Sequence, residues 1–249
     1  MKTILTIDCD FFMQPCIQLY NDLVKSNINR DVLWDRIFKD LDCERFMSHN
    51  EENLQFMMKC IEGLECPIYI GIDHHSILRA MQNMYHNDPS FNGPFDIINI
   101  DHHHDICYND IQLDQLVRMN YVTCGDWVGF IKMHNLLGTY YWVANPNSRP
   151  YDPNFKIFSS LENTKFVLLP KENFECNPKN IDMCYISSSL EFIPPTQQEV
   201  YFRFLRKVIS IYKENIIWYG QSYDNVTTMQ LIQEGINKQP EMSVTTESI

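Results

Sequence analysis

The chain has 249 residues, 45% hydrophobic and 13% aromatic, enough to fill one large core. Its 32 acidic against 20 basic side chains give a net charge of −12, which disfavours a nucleic-acid partner and suits a cationic ligand. Nine cysteines, an odd number without a CxxC pair, predict neither a disulfide framework nor a thiolate zinc site, and so a reducing compartment.

The first segment, MKTILTI, is apolar but meets Asp8 and Asp10 at once. It is too short for a signal-peptide core, and no later stretch is long and uncharged enough to span a bilayer, so a cytoplasmic protein without membrane contact is expected. KTILTIDCDFF reads as a β-branched strand running into acidic residues. DVLWDRIFKDL (31–41) and ENLQFMMKCIEGL (52–64) carry apolar residues at helical spacing. PIYIGID (67–73) and FDIINID (95–101) are further strands, and like the first they end on aspartate.

TYYWVAN (139–145), KFVLLP (165–170) and IDMCYISSS (181–189) extend the strand series, with a long Pro-, Asn- and Ser-rich loop over 146–162 between the first two. PPTQQEVYFRFLRKVISIYKENI (194–216) reads as a helix with proline at its start. PEMSVTTESI closes the chain as a loose tail, so the expected organisation is one domain over 1–239 and a tail over 240–249. Alternating strands and helices predict an α/β fold of three layers, a mostly parallel central sheet with helices on both faces. In such folds ligands bind beyond the carboxyl ends of the strands, where the aspartates fall.

INIDHHHDI (98–106) sets three histidines between two aspartates directly after a strand. On an extended backbone alternate residues point the same way, so Asp101, His103 and Asp105 can converge while His102 and His104 face elsewhere. GIDHHS offers His74 or His75 at a second strand end, and TIDCD offers Asp8 and Asp10, again alternating. Carboxylates with imidazole make a hard to borderline set suited to Mn²⁺ or similar ions, enough for two divalent ions that share carboxylates. An aspartate at a strand end ordinarily caps a turn, but five of the eight histidines fall in 74–75 and 102–104, each cluster behind an apolar strand.

GIDHHS resembles the GGDHS motif, and DHHHD the DAHxD motif, of the arginase and ureohydrolase superfamily. The superfamily's DxD pair normally comes late; here its best match is IDCDFF at the start. With TCGDW (123–127) and SSLEFIPP (188–195), this resembles the branch that includes the peptide arginases, which convert arginine side chains of ribosomally made precursor peptides into ornithine.

The resemblance covers most of residues 1–200. It implies two Mn²⁺ ions held by Asp8, Asp10, His74, Asp101, His103 and Asp105, with His75 as the near alternative to His74. It makes Asp105 also the proton donor to the leaving amine, and Glu191, expected to end the late strand MCYISSSLE (183–191), the partner of the substrate guanidinium. Where arginases carry a His-Gly proton shuttle, this chain has Cys124, Gly125 and Asp126, and Asp126 is the candidate there for proton transfer and substrate binding.

The implied substrate is arginine within a precursor peptide. Arginases use an Asn two positions after the last metal Asp to help hold the α-carboxylate of the free amino acid, and Cys107 stands there. The rival readings are a small-molecule ureohydrolase, a zinc-dependent deacetylase-type amidohydrolase, and a non-catalytic module that keeps its metal as a staple.

Overall fold

The computed structural model describes residues 1–13, 48–106, 115, 118–119, 121–148, 165–219 and 236–237. The expected helix over 31–41, the loop from 149 to 162, Cys107 and the tail over 240–249 lie outside the described residues. Seven strands form one all-parallel sheet: β1 (Lys2–Asp8), β2 (Ile68–Gly71), β3 (Phe95–Asp101), β4 (Leu137–Ala144), β5 (Lys165–Pro170), β6 (Met183–Ser187) and β7 (Ile216–Tyr219). Their order is β5-β4-β3-β1-β6-β2-β7. The α/β fold with a parallel central sheet is therefore observed, and the sheet's regular alternation explains how it is covered.

In β1, Leu5 and Ile7 enter one core cluster, while Ile4 enters the other. The first cluster holds Leu54, Met57, Cys60 and Ile61 of helix α1 (Glu51–Ile61). It also holds Tyr201, Phe204, Leu205 and Val208 of helix α4 (Gln198–Tyr212). The opposite face packs on Ile77, Ala80 and Met81 of helix α2 (Ile77–Asn87) and on Trp127, Val128 and Ile131 of helix α3 (Trp127–Met133). Apolar residues three and four apart on each helix meet alternating residues of the strands, which is the three-layer arrangement.

Three expectations need correcting. The segment 194–216 is not one helix: a short 3-10 turn, Pro195–Gln197, precedes α4, and α4 ends at Tyr212. Ile216 then begins β7, an edge strand whose four residues IIWY are too short to show a period of two beside a long helix. The strand expected over 181–189 spans only Met183–Ser187, because Ser189 takes a left-handed conformation with φ 41° and turns the chain. Glu191 consequently stands in the turn Leu190–Phe192 and does not end the strand.

Chain order and sheet order differ where it matters. β1 lies at the centre, between β3 and β6, so the chain leaves it on both sides, and a crevice forms at the carboxyl ends there. Register aligns Ile7 with Ile100, and Asp8 with Ser187. Ser187 in turn is aligned with Gly71 of β2. A side chain on Gly71 would overlap the Tyr185 hydroxyl, which donates to the Asp73 carbonyl at 2.6 Å. The absence of a side chain at Gly71 thus leaves room for that hydroxyl, which ties the turn after β2 to β6.

Candidate metal centre

Three strand ends deliver the site. β1 ends on Asp8, whose carboxylate accepts the backbone N–H of Asp10 at 3.3 Å and so caps the 3-10 turn Cys9–Phe12. The ordinary turn-capping role of a strand-end aspartate is thus real, and Asp8 combines it with a place in the cluster. β2 runs out through Asp73, which caps the turn His74–Ser76 by accepting from the Ser76 N–H at 3.0 Å. His74 is thereby carried inward with no exposure, while His75 turns to Asp73 at 3.0 Å.

His74 Nδ1 lies 3.2 Å from Asp8 Oδ2, 3.1 Å from Asp101 Oδ2 and 2.9 Å from Asp105 Oδ2. Its Nε2 meets the Thr6 hydroxyl at 2.6 Å, with both side chains buried. A second group forms beside it, with His103 Nδ1 3.3 Å from Asp10 Oδ2 and 3.8 Å from Asp101 Oδ1. Two trios, Asp8–His74–Asp101 and Asp10–Asp101–His103, each bring their ligand atoms within 4.8 Å of one another, and Asp101 belongs to both.

Convergence of the DHHHD residues does not come from alternation on a strand, as expected. β3 stops at Asp101, and Asp105 has a left-handed φ of 50°. The loop is shaped by its hydrogen bonds: Asp101 accepts the His103 N–H at 2.8 Å, and Tyr140 donates its hydroxyl to the His104 carbonyl at 2.7 Å. Asp105 Oδ2 accepts the Trp127 indole N–H at 2.7 Å, and the Asp105 carbonyl accepts the Val128 N–H at 3.0 Å. His102 points to Ser148 at 3.1 Å and His104 packs edge-on to Trp142, both away from the carboxylates.

Burial sets the electrostatics. The carboxyls of Asp8 and Asp10 are pushed up, first by loss of water and then by each one's charged neighbours, Asp101 for Asp8 and Asp8 for Asp10. Asp105 rises to about 7 for the same reasons, burial and then Asp101. Burial opposes charge on Asp101 too, but His74 and His103 outweigh it and hold the group at about 2. Burial likewise opposes charge on the imidazoles, yet the carboxylates around them raise His74 well above its ordinary value and His103 to about 10. His102, buried beside the His103 charge, falls to about 3.

The donor set fits a cation. Four carboxylates and two imidazoles converge inside the protein, and His74 Nδ1 and the buried Asp10 Oδ1 have no hydrogen-bond partner. For Nδ1 the three carboxylate oxygens are close in distance without hydrogen-bond geometry, an arrangement a shared cation satisfies. Second contacts orient these groups: Thr6 on His74, Ser189 on Asp8 at 2.7 Å, Asn99 on Asp101 at 3.1 Å and Trp127 on Asp105. Sequence reading missed them all, although Thr6 and Asn99 sit two residues before Asp8 and Asp101 on the same faces of their strands, a spacing that could have marked them.

Asp126 is buried at the start of α3 and accepts the Thr123 hydroxyl. The side chain of Glu191 is outside the described part of the molecule. Its turn is placed against the cluster, with Ser189 on Asp8 and Phe192 packed on His103, ring centroids 5.4 Å apart.

No family model, curated protein or solved structure matches the chain. Fold and site together define a three-layer α/β protein whose buried Asp/His group, at the carboxyl edge of a parallel sheet, could hold a metal ion. Among the described residues no helix is long and apolar enough to cross a membrane.

Proposed function

We propose that the protein is a dinuclear manganese hydrolase that converts arginine side chains in a precursor peptide to ornithine with release of urea. The observation that carries this reading is the pair of ligand trios sharing Asp101, built from the ends of three parallel strands. Asp8, His74, Asp101 and Asp105 would hold one ion, and Asp10, Asp101 and His103 the other. Bound divalent ions supply acidification of water, and so hydroxide near neutral pH.

The remaining work falls to the chain. A guanidinium is a poor electrophile because its charge is delocalised, so it must be held over the nucleophile, and a carboxylate matches its forked donors. Glu191 takes that role in this reading, supported by the position of its turn between contacts to Asp8 and His103. Departure of the amine needs a proton, and Asp105, held in place by the Trp127 indole N–H, is the donor in this reading. Asp126 is the candidate for relaying protons to and from the site.

Peptide-bound arginine is favoured over the free amino acid because Cys107 replaces the Asn that helps hold an α-carboxylate in arginases. An internal arginine carries no α-charges, so a pocket lacking those contacts loses nothing by accepting it. The test is urea release with Mn²⁺ from free arginine, agmatine and an arginine-containing peptide. Turnover is expected on the peptide, with little on the small molecules. Equal or better efficiency on free arginine would leave a small-molecule ureohydrolase, and a requirement for one Zn²⁺ would leave a deacetylase-type enzyme.

A further inference from the structure

Three successive serines, the last of β6 and the two that follow it, are buried, and their hydroxyls are all engaged. Ser188 pairs with Tyr201, whereas Ser187 lies 2.8 Å from Ser189, and Ser189 donates to Asp8 Oδ2 at 2.7 Å. Ser189 is 1% exposed and adopts φ 41°, ψ 43°, where any side chain is strained. The conformation is held from both sides: the Ser189 N–H donates to the Ile72 carbonyl, and its own carbonyl accepts the Phe192 N–H, both at 2.9 Å. This bend directs Leu190–Phe192 across the cluster, so that Phe192 reaches His103.

We propose that Ser189 is a positioning residue that ties the turn carrying Glu191 to the metal centre, its hydroxyl orienting Asp8 as its backbone sets the path of the turn. The inference rests on the reading of Glu191 as the guanidinium partner. Through this tie an ion bound by Asp8 restrains the turn, and an ordered turn in return strengthens the ion's hold, because linkage between two binding events is reciprocal. A serine present only to end a strand would leave Asp8 and metal affinity untouched.

The experiment uses the full chain with Mn²⁺ alone and no substrate, comparing wild type with Ser189→Ala, Ser189→Gly and, as control, Ser188→Ala. Mn²⁺ affinity is measured by calorimetry, and amide exchange is followed at Leu190–Phe192 with and without the ion. Both Ser189 variants should lose about tenfold or more in affinity, as for other groups that orient metal ligands. Both should also lose the slowing of exchange that Mn²⁺ brings to the turn.

Glycine accepts the left-handed backbone, so Ser189→Gly should melt above Ser189→Ala while binding Mn²⁺ equally poorly, which separates the hydroxyl from the strain. Ser188→Ala should bind as wild type does. Wild-type affinity or retained Mn²⁺-dependent protection in Ser189→Gly would overturn the assignment. Failure of the wild type to release urea while these differences stand would count against the hydrolase reading alone. A wild type that binds no Mn²⁺ overturns both.

Discussion

Thr6→Val tests whether His74 is a metal ligand through Nδ1. The swap replaces a hydroxyl by a methyl in a site where neither Thr6 nor His74 is exposed and Oγ1 stands 2.6 Å from Nε2. For Nδ1 to offer its lone pair to an ion, the ring proton must sit on Nε2, and Thr6 is the acceptor that keeps it there. Without the hydroxyl a buried N–H loses its partner, a cost of about 1–3 kcal/mol. Loss of such an orienting contact weakens metal binding by about 10–100-fold, which is about 1.4–2.7 kcal/mol, so the two estimates agree.

At a Mn²⁺ concentration of about 100 times the wild-type Kd, the ion stabilises wild type by about 2.7 kcal/mol; a variant bound about 100-fold more weakly keeps only about 0.4 kcal/mol. Urea denaturation with and without Mn²⁺, beside calorimetric titration, reads both quantities. Thr6→Ser, which retains the hydroxyl, should recover most of the loss. If Thr6→Val bound Mn²⁺ within about twofold of wild type, the role given to His74 Nδ1 would be refuted.

Asp101→Asn should abolish Mn²⁺ binding altogether because Asp101 serves both trios, whereas Asp10→Asn should spare one ion; unchanged metal content in both Asp8→Asn and Asp10→Asn would remove the N-terminal pair from the site. Apparent Mn²⁺ affinity should rise with pH from 6 to 9. In the metal-free protein His74 is raised and His103 lies at about 10, so both imidazoles carry protons at neutral pH that an ion must displace. Binding enthalpies that do not depend on the buffer's own ionisation heat would contradict this proton release. Glu191→Gln should lose turnover and substrate affinity while both ions stay bound, measured by urea release and metal analysis; full activity would refute the role given to Glu191.

Much of the framework is legible in order along the chain. β-branched runs that lead into aspartate marked β1, β2 and β3, and the clustering of histidines behind two of them marked a cation site, because local pattern shows where a strand lies and what chemistry follows it. Which groups meet is another matter. Asp8 and Asp101 become neighbours because β1 pairs with β3, 93 residues apart in their aligned pair Ile7 and Ile100, a choice made by packing and not by local sequence.

His74 follows a strand not adjacent to β1, with β6 between them, yet it reaches Asp8. Nothing in GIDHHS distinguishes His74 from His75; the cap that Asp73 places on the next turn does so, by sending one ring inward and leaving the other beside the cap. Asp105 and Ser189 enter the site through left-handed backbone that a non-glycine residue adopts only when tertiary contacts hold it. Ser189 was unreadable because a hydroxyl beyond the strand declares its role only through the group it faces, whereas the spacing of Thr6 to Asp8 along one strand face could have marked it. The strand-end acids, the histidine clusters and the alternation of strands and helices follow from local residue order. The strand order, the sharing of Asp101 and the contacts that aim each ligand come from packing, since they depend on residues far apart in the chain that only the folded sheet brings together.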